Sequence, residues 1–267
     1  MDDSLYAGSA EFYPTGRLPY PPLLAEVLRD ELGLDGTGRL LDVGCGPGSL
    51  TLLLAPLVAE AVGVDADADM LREAARAATT AGISNVSWRH LRAESLPTEL
   101  GAFRLTTFAQ SFHWMDRALV AHRLRELLEP GGAWVHVSAV TDRGLPGDDD
   151  APPWDRVDAL VSSYLGPVRR AGQTVLPDGT VGGEQDVMRA AGYRGPRLIE
   201  VPRGELVERT VDEVVASVFS LSSAAPHLFG ERLATFETEL RALLVDAAPD
   251  GQFTERARDI ELAIWSP

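Results

Sequence analysis

Leu40-Leu41-Asp42-Val43-Gly44-Cys45-Gly46-Pro47-Gly48 is the stretch that decides the fold. A short apolar run enters a cluster of three glycines, and an apolar pattern of helical period resumes over Leu50 to Val58. That order predicts strand, tight turn, helix. Working outward, Ala61 to Val64 reads as a second buried strand, followed by an Ala-rich helix from about Asp67 to Ala81 that stops at Gly82. Val86 to His90 reads as a third strand and Phe103 to Ala109 as a fourth. A helix from about Arg117 to Leu128 then leads through the turn Glu129-Pro130-Gly131-Gly132 into a fifth strand, Ala133 to Ala139. Upstream, Pro19, Pro21 and Pro22 precede a helical face of Leu23, Leu24, Val27, Leu28 and Leu32, closed by Gly33. Strands alternating with helices at this spacing predict an α/β fold with right-handed crossovers and a parallel sheet covered on both sides.

Beyond residue 140 the alternation weakens. Thr141 to Pro153, with Asp148, Asp149 and Asp150, reads as a solvated acidic loop without a metal role, because adjacent side chains splay apart. Helical patterns follow at Trp154 to Leu165, Val187 to Ala191, Val211 to Leu221 and Arg232 to Val245. Leu198 to Val201 suits a strand, and Ile260 to Trp265 suits one that returns to the sheet. The expected organisation is a single domain over 1–267. Its cofactor-binding core covers about 38–140 with 184–203 and 258–267, its N-terminal cover 1–36, and its helical cap about 205–248.

The chain has 267 residues, 45% of them hydrophobic, which is enough to bury a core. Its formal charge of -16 opposes phosphate backbones and anionic membrane surfaces, so neither nucleic acid nor membrane is expected as a partner. All 24 basic residues are Arg, which removes Schiff-base chemistry and the P-loop lysine together. Cys45 is the only cysteine, so no intramolecular disulfide forms. Met1 to Gly8 lacks the features of a signal peptide, and the apolar stretch Leu50 to Val64 is interrupted by Pro56 and Glu60. The expected location is cytoplasmic.

Three glycines between a buried strand and a helix N-terminus suit a ligand lying close against the main chain. Asp65 ends the second strand 65 − 44 = 21 positions after the first glycine, where an acid accepts the two ribose hydroxyls of an adenosine. Two nucleoside cofactors compete for such a turn. The spacing here is G-x-G-x-G rather than the dinucleotide G-x-G-x-x-G, and Asp42 is expected to place a carboxylate at the mouth, against a diphosphate. S-adenosylmethionine carries a sulfonium and an ammonium instead, and an anionic rim favours both. A nicotinamide-dependent reductase on a similar sheet and a non-catalytic cofactor-binding protein remain the alternatives.

The segment Leu40 to Leu54 resembles the first motif of the class I S-adenosylmethionine-dependent methyltransferases. The similarity continues through Gly63-Val64-Asp65, Ala93-Glu94-Ser95-Leu96-Pro97, Phe108-Ala109-Gln110-Ser111-Phe112-His113-Trp114 and Leu127-Leu128-Glu129-Pro130-Gly131-Gly132. The resemblance implies a Rossmann-like, doubly wound, mostly parallel seven-stranded sheet with an antiparallel last strand and a helical cap insertion. It further implies that Gly44, Gly46 and Gly48, with Asp42 nearby, line the methionine part, and that Asp65 binds the ribose. Ala66 and Met70 would pack on the adenine, Glu94 and Ser95 would meet its amino edge, and Gln110, Ser111 and Phe112 would sit beside the sulfonium. The leader around Tyr13 and Arg17 is similar to that of trans-aconitate-type small-molecule methyltransferases, where it folds over the cofactor. Both residues are therefore candidate contacts.

For the acceptor, the residues speak by exclusion. No Asn-Pro-Pro-Tyr follows strand four, a lysine-containing tetrad is impossible, and Asn85 is the single asparagine. The expected acceptor is a small organic molecule, methylated at oxygen and held under the helical insertion. In-line methyl transfer is largely a matter of positioning, with a base needed only where the acceptor carries a proton. His113, just past strand four, is the candidate base. The remaining histidines have no metal-ligand spacing.

Overall fold

The computed structural model describes residues 8–146, 151–167, 170–171, 174–175 and 183–267. The reading of Asp148 to Asp150 and most of that of Met1 to Gly8 lie outside the described residues. Two compact units share the chain. One comprises residues 20–139, 181–201 and 260–267; the other comprises 1–19, 140–180 and 202–259. The helix Pro22–Leu32, expected in an N-terminal cover, belongs to the first of these, and the segment 140–180 belongs to the second.

The first unit is built on seven strands: β1 (Arg39–Val43), β2 (Glu60–Asp65), β3 (Val86–His90), β4 (Phe103–Ala109), β5 (Leu128–Ser138), β6 (Arg194–Val201) and β7 (Ile260–Ser266). Their order in the sheet is 3-2-1-4-5-7-6. β1 to β5 pair in parallel, whereas β7 runs antiparallel to both β5 and β6. This is the Rossmann-like arrangement expected. Its helices are α1 (Pro22–Leu32), α2 (Ser49–Leu54), α3 (Ala68–Ala81), α4 (Arg117–Leu127) and α5 (Glu184–Ala190).

Alternation along the strands divides the core in two, because successive side chains point to opposite faces. Leu40, Leu105 and Val135 join α1 and α2 in one cluster, while Leu41, Val43, Phe108 and Trp134 join α4 and α5 in the other. Helix ends follow their local chemistry. Asp67 caps α3, accepting from the N–H groups of Asp69 and Met70, and Gly82 closes that helix in the left-handed conformation. One boundary departs from expectation. β5 begins at Leu128, so Glu129-Pro130-Gly131-Gly132 is not a turn before the strand but the irregularity where Phe103 pairs Leu128 and Leu105 pairs Ala133.

The second unit has its own core of Val157, Phe219, Phe229, Phe236, Leu240 and Phe253. Helices Trp154–Leu165, Val211–Phe219 and Leu233–Ala247 surround it. A capping box between Thr210 and Glu213 starts the second of these. This unit also contains a three-stranded antiparallel sheet of Leu206–Thr210, Gln252–Arg256 and Leu145–Pro146; the first lies where the helical cap was expected, and the last within the stretch Thr141 to Pro153 read as a loop. Among the described residues, no helix is long and apolar enough to cross a membrane.

Candidate functional site

The site of the sheet unit forms where β1, β2 and β4 end. Gly44, Gly46 and Gly48 all adopt left-handed φ angles, 69°, 53° and 78°. They serve different ends. A Cβ on Gly44 would lie 2.4 Å from Cβ of Ser111, and one on Gly48 would lie 2.6 Å from the Trp88 ring. Only Gly46 faces open space, with nothing within 4 Å of its Cβ position. Two of the three glycines are thus demanded by the protein's own side chains, and Gly46 alone of the three opens outward.

Asp42 is not at the mouth. It is 1% exposed, with Oδ2 accepting from the Thr51 hydroxyl at 2.5 Å and Oδ1 from the Thr107 hydroxyl at 2.8 Å. Thr107 is its register partner on β4, and Thr51 lies on α2. Burial pushes the Asp42 carboxyl up to about 6, against the pull of the two hydroxyls. The expectation that this carboxylate guards the rim is corrected: the residue joins strand to helix beneath the turn.

Asp65 is the acid at the surface of the site. Its Oδ2 accepts from the Gly46 N–H at 2.8 Å and its Oδ1 from the Asp67 N–H at 2.9 Å, so it ties the glycine turn to the start of α3. Burial raises its pKa as well, partly offset by those N–H groups. A carboxylate oxygen that accepts one hydrogen bond keeps further lone-pair capacity, which ribose hydroxyls can use. Met70 is buried on α3 and Ala66 is partly exposed beside Asp65. Glu94 accepts from the Asp116 N–H through Oε1 at 2.8 Å, while Oε2 is buried without a hydrogen-bond partner among the described residues. Ser95 beside it is exposed.

The end of β4 supplies the other wall. Gln110 is the non-glycine residue with positive φ (53°) among the described residues, and its side chain donates to the Ala139 carbonyl at 3.2 Å. Such a conformation in a residue that gains nothing sterically from it marks local strain of the kind that collects at functional sites. The Ser111 hydroxyl donates to the Val43 carbonyl at 2.6 Å, joining the ends of β4 and β1. Phe112 is buried against Phe108, Trp134 and His136. His113 follows, its pKa lowered to about 4 by burial and then by the Arg117 charge, so the ring is neutral at pH 7.

Several participants had not been anticipated. Trp88 walls Gly48 and Gly63, and Thr51 with Thr107 holds Asp42. Their signal was present as polar residues inside buried strand and helix patterns, where each needs a partner. His136 accepts from the Trp134 indole N–H at 2.8 Å and lies 3.9 Å from Glu184. The second of these contacts joins distant segments, and no local spacing encodes it. Tyr13 and Arg17 lie in the other unit. There Arg17 donates to the Ser220 hydroxyl at 2.7 Å and its carbonyl at 3.0 Å, sits 3.6 Å from Asp142, and stacks over the Tyr13 ring. Among the described residues, no group of three or more His, Cys, Asp or Glu could hold a metal ion.

Residues 40–132 match the sequence model of a methyltransferase domain. An uncharacterized methyltransferase of Schizosaccharomyces pombe is 29% identical over 135 residues, 50% of this chain and 52% of that protein. A ubiquinone biosynthesis O-methyltransferase of Leptothrix cholodnii is 32% identical over 134 residues, 49% of this chain and 55% of its own length. The chain thus spans about half the length of the curated relatives it matches. Among solved structures, the YcgJ protein from Bacillus subtilis shares the fold with a TM-score of 0.50 at 19% identity, covering 90% of this chain and 97% of that one. The strand order, the glycine turn and the matched segment are similar to those of a class I S-adenosylmethionine-dependent methyltransferase domain. Its cofactor is S-adenosylmethionine, and the site fits it: Gly46 opens onto free space, Asp65 keeps acceptor capacity, and Glu94 offers a buried acceptor oxygen that lacks a donor.

Proposed function

We propose that the whole chain transfers a methyl group from S-adenosylmethionine to an oxygen of a small organic molecule. The observation that carries this reading is the acidic setting of the turn: Asp65 accepts from the Gly46 N–H and the Asp67 N–H, and the charges of Asp67 and the buried Asp42 are near enough to repel its own. Such a field favours a cationic cofactor and opposes a diphosphate, which sets the nicotinamide reductase aside.

In this reading Asp65 takes the ribose hydroxyls, Met70 and Ala66 flank the adenine, and Glu94 accepts from its amino group, with Ser95 adjacent. Gln110, Ser111 and Phe112 border the methionine end across from Gly44, Gly46 and Gly48. Bound there, the cofactor supplies a methyl carbon activated by its sulfonium. The chain's own work is to hold an acceptor oxygen in line with that carbon. His113, neutral at pH 7, takes the proton when the acceptor is a hydroxyl; a carboxylate acceptor needs no base. Oxygen is supported by the relative named as an O-methyltransferase, and a small acceptor by the chain's charge of -16. Tyr13 and Arg17 enter the proposal as further cofactor contacts, and selectivity for the acceptor is assigned to residues outside 40–132.

The test is incubation of the purified chain with methyl-labelled S-adenosylmethionine and a panel of phenols, carboxylic acids, amines and carbon acids. Label on a phenol or an acid is expected, with transfer to phenols falling in His113→Ala while transfer to acids is retained. Label on amines or carbon alone would refute the oxygen assignment.

A further inference from the structure

Among the described residues, seventeen glycines adopt positive φ, and one residue with a Cβ does so, Gln110 at 53°. Glycine would take that conformation without steric cost, so the chain gives up stability by placing glutamine there. Gln110 is exposed, and burial does not call for a long side chain at this position. What glutamine has and glycine lacks is the amide, whose Nε2 donates to the Ala139 carbonyl at 3.2 Å. That bond falls where the ladder stops. Ala109 and Val137 are the last register pair of β4 and β5, and one step further the Gln110 side chain links the two strands in place of the backbone.

The bend at Gln110 decides where the loop after β4 lies. Its next residue, Ser111, donates to the Val43 carbonyl at 2.6 Å. The Ser111 Cβ and the Met115 Cε come so close to Gly44 that a Cβ there would meet them at 2.4 and 3.1 Å. The Trp114 and Met115 N–H groups donate to the Ser111 and Phe112 carbonyls, forming the single helical turn that carries His113. At its far end the loop closes on Glu94, which accepts from the Asp116 N–H at 2.8 Å. The loop therefore rests on the glycine turn, and it is entered through a strained bend that persists only if its surroundings hold it.

We propose that Gln110 is a positioning residue: its amide, anchored on the carbonyl that follows β5, holds the left-handed bend after β4 shut and so seats His113 beside the glycine turn. The Gln110 backbone borders the methionine end, while its amide is committed to β5. The proposal deepens the methyl-transfer reading and rests on it for the role of His113.

The test compares Gln110→Gly, Gln110→Ala and Gln110→Met in the full chain. Urea unfolding, titration of the histidine ring protons by NMR, with His113→Ala to assign the signal, and calorimetry with S-adenosylhomocysteine are the readouts. The glycine and alanine variants both lack the amide and differ by one Cβ, so the glycine variant should unfold at the higher urea midpoint. An equal or lower midpoint means that the bend is not strained and overturns the proposal. In the native chain burial, with the Arg117 charge facing the ring, holds His113 at about 4. With the anchor gone, its midpoint should rise by at least about one pH unit toward the ordinary 6.5 in all three variants. On any acceptor of the panel that takes label, kcat should fall at least about tenfold while KM for S-adenosylmethionine stays within about threefold, because alignment is lost rather than binding. An unmoved His113 midpoint would overturn the proposal. So would a loss of S-adenosylhomocysteine affinity as large as the loss of kcat, which would make Gln110 a direct cofactor contact. Failure of the native chain to bind S-adenosylhomocysteine would refute the functional reading, with the urea and NMR results still deciding whether the Gln110 amide seats His113.

Discussion

Two buried carboxylates, one in each unit, are treated in opposite ways. Glu255 of the second unit is fully buried, accepts from the Gly144 N–H at 3.0 Å and the Trp154 indole at 2.6 Å, and lies 3.3 Å from the buried Arg209 guanidinium. Asp42 of the sheet unit is equally buried but is held by the Thr51 and Thr107 hydroxyls and the Thr51 N–H, with no ion pair among the described residues, and burial raises its pKa to about 6. The first arrangement is a complete circuit, as structural ion pairs must be, and Arg209 further ties down the carbonyls of Gly16, Asp142 and Glu213. The second lacks a counter-charge beside the turn proposed to hold the sulfonium cofactor. Both acids tie segments together, but Glu255 does so as one half of an ion pair and Asp42 through neutral donors alone.

The contrast can be broken most severely at Arg209. Arg209→Met strands Glu255 without its cation and should destabilise the chain by about 3–5 kcal/mol, read from urea unfolding, while labelled methyl transfer by the remaining folded protein continues. Survival of full stability would mean that the circuit is not structural. The glycine turn sharpens the comparison at the next scale. Gly44→Ala meets Ser111 at 2.4 Å and should cost about 2–4 kcal/mol, combining left-handed strain with overpacking, whereas Gly46→Ala meets nothing and should cost only about 1 kcal/mol. Affinity for S-adenosylhomocysteine should nonetheless fall in both. Equal loss of stability in the two variants would show that Gly46 does not face a ligand cavity.

Asp42 gives the clearest sign. Its folded pKa of about 6 exceeds the ordinary value near 3.8, so its contribution favours folding below pH 4 and is lost as pH rises through 6. His113 and His136, both lowered to about 4 by burial, act the other way, losing stability as pH falls below the usual histidine range. Only the difference between the native chain and Asp42→Asn isolates the acid. That variant should gain at most about 3 kcal/mol at pH 8 and nothing at pH 4, by unfolding at both values. A difference independent of pH would place the Asp42 charge in water.

Much of the sheet unit was legible because its signals are local. The run Leu40 to Val43, the glycines after it and Asp65 lie within 26 residues, and period alone separates β1, α2 and β2. The strand irregularity at Glu129 to Gly132 was not legible, since the same Pro-Gly-Gly that reads as a turn can also be absorbed into a ladder once Phe103 and Leu128 pair. The second unit hid its sheet for a related reason. Leu206–Thr210 is five residues long and meets its partner Gln252–Arg256 only after three intervening α-helices, so nothing near it in sequence announces the pairing. At the site, Asp65 and the glycines could be placed from spacing, but the depth of Asp42 depended on Thr51 and Thr107, which arrive from two other elements.

The central claim is that the turn between β1 and α2 holds a cationic sulfonium cofactor in an anionic setting. Its most direct test is calorimetric titration of one preparation with S-adenosylhomocysteine and with NADH, repeated for Asp65→Ala. Saturable binding of S-adenosylhomocysteine, weakened by about 1–3 kcal/mol in the variant, with no binding of NADH, is the predicted result. Tight binding of NADH with none of S-adenosylhomocysteine would contradict it.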